Sequence, residues 1–124
     1  MSYANRLIVP VTTAADGSAT AYSDEIEYGL LSQIRYVKTD FADGVDFTIT
    51  LNGTGETLWA ENDVNAAATR APRQATHSTA GAAALYAASG SAVNDKIAIA
   101  KDKIKIVIAS GGDTKSGAFH FLLV

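Results

Sequence analysis

Residues 96–109 read Lys-Ile-Ala-Ile-Ala-Lys-Asp-Lys-Ile-Lys-Ile-Val-Ile-Ala, and 118–124 read Ala-Phe-His-Phe-Leu-Leu-Val. Ile97 and Ile99 alternate with Lys96 and Ala98. Ile104, Ile106 and Ile108 alternate with Lys103, Lys105 and Val107. Phe119, Phe121 and Leu123 alternate with Ala118, His120 and Leu122. A period of two, with apolar and polar or small residues on opposite sides, is the mark of a strand with one buried face. Three strands are therefore predicted at 96–100, 103–109 and 118–124. Lys101-Asp102 alone separates the first two, which implies a tight hairpin or a bent continuation. Ser110 to Gly117 reads as a polar hairpin loop.

The same period runs through Val45, Phe47, Ile49 and Leu51, which alternate with Asp46, Thr48, Thr50 and Asn52. Asn52-Gly53-Thr54-Gly55 follows with turn chemistry, and Glu56 to Trp59 is the next expected strand. Upstream, Arg6 to Thr13 is apolar and β-branched, but Pro10 cannot donate to a ladder, so it belongs at an edge. Asp16-Gly17-Ser18 signals a turn, and Ala19 to Tyr22 a short return strand. Leu30 to Lys38 is β-prone with imperfect alternation: Leu30, Ser32, Ile34, Tyr36 and Lys38 fall on one side. Asn62 to Ser91 differs from the rest, being rich in Ala, Thr and Ser. Within it, Thr79 to Ala88 has helix-forming composition, with Thr79 as N-cap and Gly90 beyond the end. Gly81 and the β surroundings argue equally for an extended segment. Six to eight short strands spaced by turns predict one all-β domain over residues 1–124, an antiparallel β-sandwich. A jelly roll is the leading topology and another Greek-key sandwich the second.

At 124 residues a chain exposes roughly 6,300 Å² folded against roughly 18,700 Å² unfolded, enough burial for a core without disulfides or metal. Charged residues are 19% of the chain, hydrophobic ones 48%, and the net charge is −3. Low charge suggests surface covered by a partner or by other copies. The acidic balance speaks against nucleic acid, because Lys96, Lys101, Lys103 and Lys105 are interleaved with Asp95 and Asp102 and read as a solvated face. There is no cysteine, which excludes thiolate chemistry. No signal-peptide layout and no 18-residue apolar run is present, so synthesis in a cytoplasm and no membrane partner are expected.

The candidate chemistry is sparse, and neither catalysis nor a cofactor is expected. His120 reads as a surface or interface histidine. His77 lies beside Thr76 and Ser78 without a nucleophile-elbow motif. Asp24, Glu25 and Glu27 cluster near Tyr28, and Asp40, Asp43 and Asp46 surround Gly44, but neither has calcium-loop spacing. Gly111-Gly112-Asp113 lacks the ending and helix of a phosphate loop. Trp59, Tyr36, Tyr86 and Tyr22 are candidates for a sugar platform, with a core role the more ordinary reading.

Several stretches carry a likeness of pattern: Pro72-Arg73-Gln74-Ala75-Thr76-His77, Gly81-Ala82-Ala83-Ala84-Leu85-Tyr86, Asn94-Asp95-Lys96-Ile97-Ala98-Ile99 and Ser110 to Gly117. With Gln33 to Val37 and Asp46 to Thr50, they resemble small virion proteins encoded among the head genes of tailed bacteriophages. These are similar to capsid cement or decoration proteins with a jelly-roll-like sandwich. The resemblance implies a dimer or trimer on the capsid exterior that bridges major capsid protein subunits and stabilises the head. By the same analogy, Met1 to Ala15 is a candidate arm or strand for contact. Arg6, Leu7, Ile8, Arg70, Arg73, Ala82, Ala83, Ala84 and Tyr86 are the candidate capsid or subunit contacts. A tail, baseplate or carbohydrate-binding receptor component is the alternative role.

Overall fold

A computed structural model describes residues 4–124. Among these the chain forms ten strands and no helix. They are β1 (Asn5–Thr12), β2 (Ala19–Tyr22), β3 (Ile26–Lys38), β4 (Val45–Leu51), β5 (Thr57–Val64), β6 (Ala68–Arg70), β7 (Arg73–Ala75), β8 (Asn94–Asp102), β9 (Ile104–Ala109) and β10 (Ser116–Leu123). One sheet has the order β1-β10-β3-β8-β7, with β6 also on β3. The other has the order β2-β9-β4-β5. With the short β6 and β7 set aside as an insertion, the remaining eight strands interleave as in a double Greek key. The expected jelly-roll sandwich is the observed topology.

The perfect alternations hold. Val45, Phe47, Ile49 and Leu51, the three isoleucines of β9, and Phe119, Phe121 and Leu123 all face the core between the sheets. At the centre, the Tyr36 ring lies 5.2 Å from Phe47 and 5.3 Å from Phe119, and Phe47 meets Trp59 edge-on at 4.7 Å. Offset and edge-on rings add attraction beyond the area they bury. Gly117 sits against this cluster, since a Cβ there would fall 2.5 Å from Phe41 Cε2.

The imperfect alternation of β3 has a physical cause. Leu122 pairs with Gln33 but Leu123 pairs with Leu31, so a bulge inserts one residue into β3. The buried set changes phase there, from Leu31 to Ile34 and Tyr36. The one-sided assignment of Leu30, Ser32, Ile34, Tyr36 and Lys38 thus fails for Leu30 and Ser32. Between β8 and β9 the bent continuation is observed. Lys101 takes φ +49 and the chain passes from one sheet to the other. β5 runs past its predicted end to Val64, with two register shifts against β4. The 79–88 segment is not helical. It is held by turns and by isolated bridges His77–Ala83 and Leu85–Ala92.

Both ends of the sandwich are tied by hydrogen bonds. At one, Thr13 Oγ1 donates to the Gly112 carbonyl (2.6 Å) and accepts from the Lys115 amide (2.8 Å), while the Gly111 amide donates to the Gly17 carbonyl (2.9 Å). At the other, the Asp102 carboxylate accepts from the amides of Gly53 (2.7 Å), Lys103 (2.8 Å) and Thr54 (3.3 Å). It joins the β4–β5 turn to the β8–β9 bend.

Candidate functional site: two exposed edges of one sheet

The predicted contact residues fall into two groups. Arg6, Leu7 and Ile8 lie on β1, at one edge of the larger sheet. Leu7 packs against the core, whereas Ile8 is 55% exposed on the outer face. Arg6 Nη1 lies 3.5 Å from His120 Nδ1. Of the proposed N-terminal arm, residues 1–3 lie outside the described residues, and most of the remainder is β1.

Arg70, Arg73, Ala82, Ala83, Ala84 and Tyr86 lie on the insertion between β5 and β8. Arg70 is fixed. Its Nε and Nη2 donate to the two Glu61 oxygens at 3.1 Å each, and its guanidinium lies 5.6 Å over Trp59. The Trp59 indole donates to the same Glu61 (2.9 Å). The Arg70 bonds first, and then the indole, hold the Glu61 carboxyl below its usual range. Because β5 and β6 belong to different sheets, this clasp ties the sandwich together along its flank. Arg73 Nη1 donates to the Ser32 carbonyl (3.0 Å). Ala82 and Ala83 are exposed at the tip of the insertion and Ala84 is half-buried. Tyr86 is 76% exposed beside Leu85 at 41%. β1 and β7 stand four strand positions apart, about 19 Å at the usual spacing. The structure therefore separates the contact set into two patches on opposite edges.

The other candidates are dispersed. Tyr36 and Trp59 are core residues, while Tyr22 and Tyr86 are exposed, so the four aromatics form no platform. Asp40 Oδ1 accepts from the Ser116 amide, Asp43 pairs with Lys38, and Asp46 Oδ1 accepts from the Asp63 amide. Asp40 and Asp43 fasten the connection between β3 and β4, whereas Asp46, on β4, bonds across to β5. The Gly111-Gly112 tip spends its first amide on Gly17, and the predicted hairpin loop is instead a crossover, because β9 and β10 lie in different sheets. A polar cleft of about 570 Å³ lies at the Asp102 end, lined by Ser23, Asp24, Glu25, Asn52 and Lys101 among others. Among the described residues no three His, Cys, Asp or Glu side chains gather as a metal site. No helix is long and apolar enough to cross a membrane.

Fold and site together define a jelly-roll domain with two exposed edges. No protein-family model matches the chain, and no curated protein does. Among solved structures it is similar to a chain in the structure of infectious bursal disease virus, Gx strain. The two are 13% identical with a TM-score of 0.29, over 97% of this chain and 32% of that one. The domain thus spans about a third of that viral chain, and a likeness this thin carries no argument about function.

Proposed function

We propose that this chain is a bacteriophage virion structural protein, a cement or decoration protein on the outside of the major capsid protein lattice. The observation that carries the reading is the separation of the two patches. A rigid sandwich with an exposed strand edge on one side and an Ala-rich insertion bearing Tyr86 on the other can touch two neighbouring subunits at once. Weak contacts of this kind, repeated over a lattice, add through effective concentration. Small side chains at Ala82 and Ala83 permit close approach, and Tyr86 supplies one large anchor. On this reading the protein works by binding alone, with no reaction and no cofactor, and acts as a homo-oligomer apart from nucleic acid and membrane. The sequence resemblance to head-gene products supports it.

The test is co-sedimentation of purified protein with undecorated capsids. Saturable binding at a fixed ratio to the major capsid protein, weakened separately by Ile8→Glu and by Tyr86→Glu, is the expected result. Absence of capsid binding, with binding to host cells or glycans instead, would reject it in favour of a tail or receptor-binding role.

A further inference from the structure

We infer that the outward face of the larger sheet is the docking face, and that the capsid surface it meets is acidic with an apolar centre. The identity of that partner rests on the capsid reading; its chemistry follows from the face. An antiparallel sheet with one solvated face carries polar residues on that side. The smaller sheet does so. Thr48 and Thr50 of β4 and Lys105 of β9 point outward, alternating with buried Phe47, Ile49, Ile104 and Ile106. The larger sheet departs from this. Leu122 of β10 stands between buried Phe121 and Leu123, Ile8 of β1 precedes buried Val9, and Leu30 of β3 precedes buried Leu31. Tyr28, 70% exposed, points the same way as Leu30, and their partners on β8 are Ala100 and Ala98.

The charges on this face have one sign. By the same alternation Arg6, Arg35 and Lys96 take outward positions, and Arg73 stands directly opposite Lys96 in the β7–β8 pair. Arg6 pairs across with Leu122, and Ile8 with His120, which in turn pairs with Arg35. Arg6 and Arg35 are thus two strands and two residues apart, about 12 Å, with apolar Ile8 and Leu122 beside them. The chain has 13 carboxylates against 10 lysines and arginines, yet none takes an outward position on β1, β10, β3 or β8. Asp95 falls on the side of Ile97 and Glu27 on that of Gly29, while Asp102 is turned into the Gly53 turn. Among the described residues the ion pairs are Lys38–Asp43 and Arg70–Glu61. Arg6, Arg35 and Arg73 touch only neutral groups: the His120 ring, the Thr69 hydroxyl (3.0 Å) and the Ser32 carbonyl (3.0 Å). Three of the four arginines of an acidic chain therefore stand without a carboxylate around an apolar patch.

This pattern selects its occupant. A guanidinium is matched best by a carboxylate, which accepts two parallel bonds. Arginine and tyrosine around an apolar centre is the composition of a protein interface. Cations about 12 Å apart call for separate carboxylates rather than one phosphate. Apolar residues between them, in a chain of net charge −3, suit a folded acidic surface better than a nucleic-acid backbone. Docking through this face uses Arg6 and Ile8 from one patch and Arg73 from the other, and turns the threonine-bearing face of the smaller sheet to solvent.

Co-sedimentation with undecorated capsids, repeated across salt concentrations, tests this. Arg6→Glu combined with Arg35→Glu should weaken binding roughly tenfold or more, because it sets like charges against the partner. Lys105→Glu, a reversal on the smaller sheet, should leave binding unchanged. Wild-type binding should weaken about tenfold as NaCl rises from about 50 to about 500 mM. Emission of the single tryptophan, Trp59, reports that each variant is folded. Should the double reversal fail to fold, Arg6→Gln combined with Arg35→Gln must show a loss of about threefold or more. Capsid binding that is indifferent to salt, or untouched in a folded arginine variant, overturns the acidic-partner face and leaves the capsid reading standing. A wild type that binds no capsids removes both. A short DNA duplex held by the wild type and released by the arginine variants assigns the face to nucleic acid and overturns it too.

Discussion

Replacing Tyr36 by Phe should stabilise this protein. The Tyr36 side chain is fully buried among Phe41, Phe47 and Phe119, and its hydroxyl has no hydrogen-bond partner among the described residues. Burying an unbonded hydroxyl costs about 1–3 kcal/mol. Tyr36→Phe removes that cost and keeps the ring contacts. Allowing for the small gap left by the oxygen, the expected gain is about 1 kcal/mol. With about 2.1 cal/mol/K of unfolding entropy per residue, a chain of this length should gain about 4 °C in Tm. Thermal and guanidinium unfolding followed by Trp59 fluorescence would measure it, with an unchanged m-value as the control for compactness. Alkaline pH supplies a second reading. Burial, and then the negative charge of Asp43, push the Tyr36 phenol up to about 12. A raised folded pKa gives stability that is whole below the unfolded value near 10 and is lost as pH rises toward 12. The wild type should therefore lose more stability than Tyr36→Phe across pH 10–12. A loss of 1 kcal/mol or more in Tyr36→Phe at pH 7 would refute the reasoning, since it would mean that the hydroxyl is hydrogen-bonded in solution.

Phe47→Ala should cost about 3–5 kcal/mol in urea unfolding, because it opens the centre of the aromatic cluster. Gly117→Ala should cost about 1–3 kcal/mol through the clash with Phe41, and adding Phe41→Leu should recover part of it. In Asp102 the folded pKa is lowered, chiefly by the Gly53 amide and then by those of Lys103 and Thr54. Its stabilisation is therefore present above the unfolded value near 4 and lost as pH falls through the folded pKa. Asp102→Asn should be less stable than wild type from pH 5 to 8, and denaturation curves should show that gap closing below pH 4. Arg70→Leu should shift Trp59 emission by removing the cation over its ring. It should cost only about 0.5 kcal/mol in stability because the pair is partly exposed.

The strands with unbroken alternation were legible residue by residue. In β4, β8, β9 and β10, one buried face against one solvated face leaves no other register. β3 was legible as a strand but not in phase, because its bulge is set by pairing with β10, a partner about 90 residues away. The strand pairings that make a jelly roll are likewise non-local, so strand count and spacing narrowed the topology without fixing it. Asn62 to Ser91 was hardest. Its alanines suit a helix or an extended chain, and what decides is tertiary: β6 pairs with β3, and β7 pairs with β8. Of the contact candidates, Ile8 and Tyr86 are exposed and Leu7 packs against the core; neither was legible, since burial along β1 depends on what lies across it and Tyr86 read more simply as a core residue. The Glu61–Arg70–Trp59 clasp was missed. Trp59 and Glu61 are two residues apart on β5, but Arg70 lies eleven and nine residues further on, with no local period to link it to them.

The place of β10 in its sheet has a consequence for how the chain acquires its structure. β10 lies between β1 and β3 and pairs with both along its length. Residues made first are thus joined to their neighbours by residues 116–123, synthesised more than 100 residues later. During translation the edges of β1 and β3 that face β10 must wait unpaired until it arrives. Sandwiches dominated by such distant pairings fold in milliseconds to seconds rather than microseconds. During that interval unpaired strands are exposed to other nascent copies. A chain truncated before residue 116 should accumulate as aggregate or bound to chaperones rather than as a smaller folded domain.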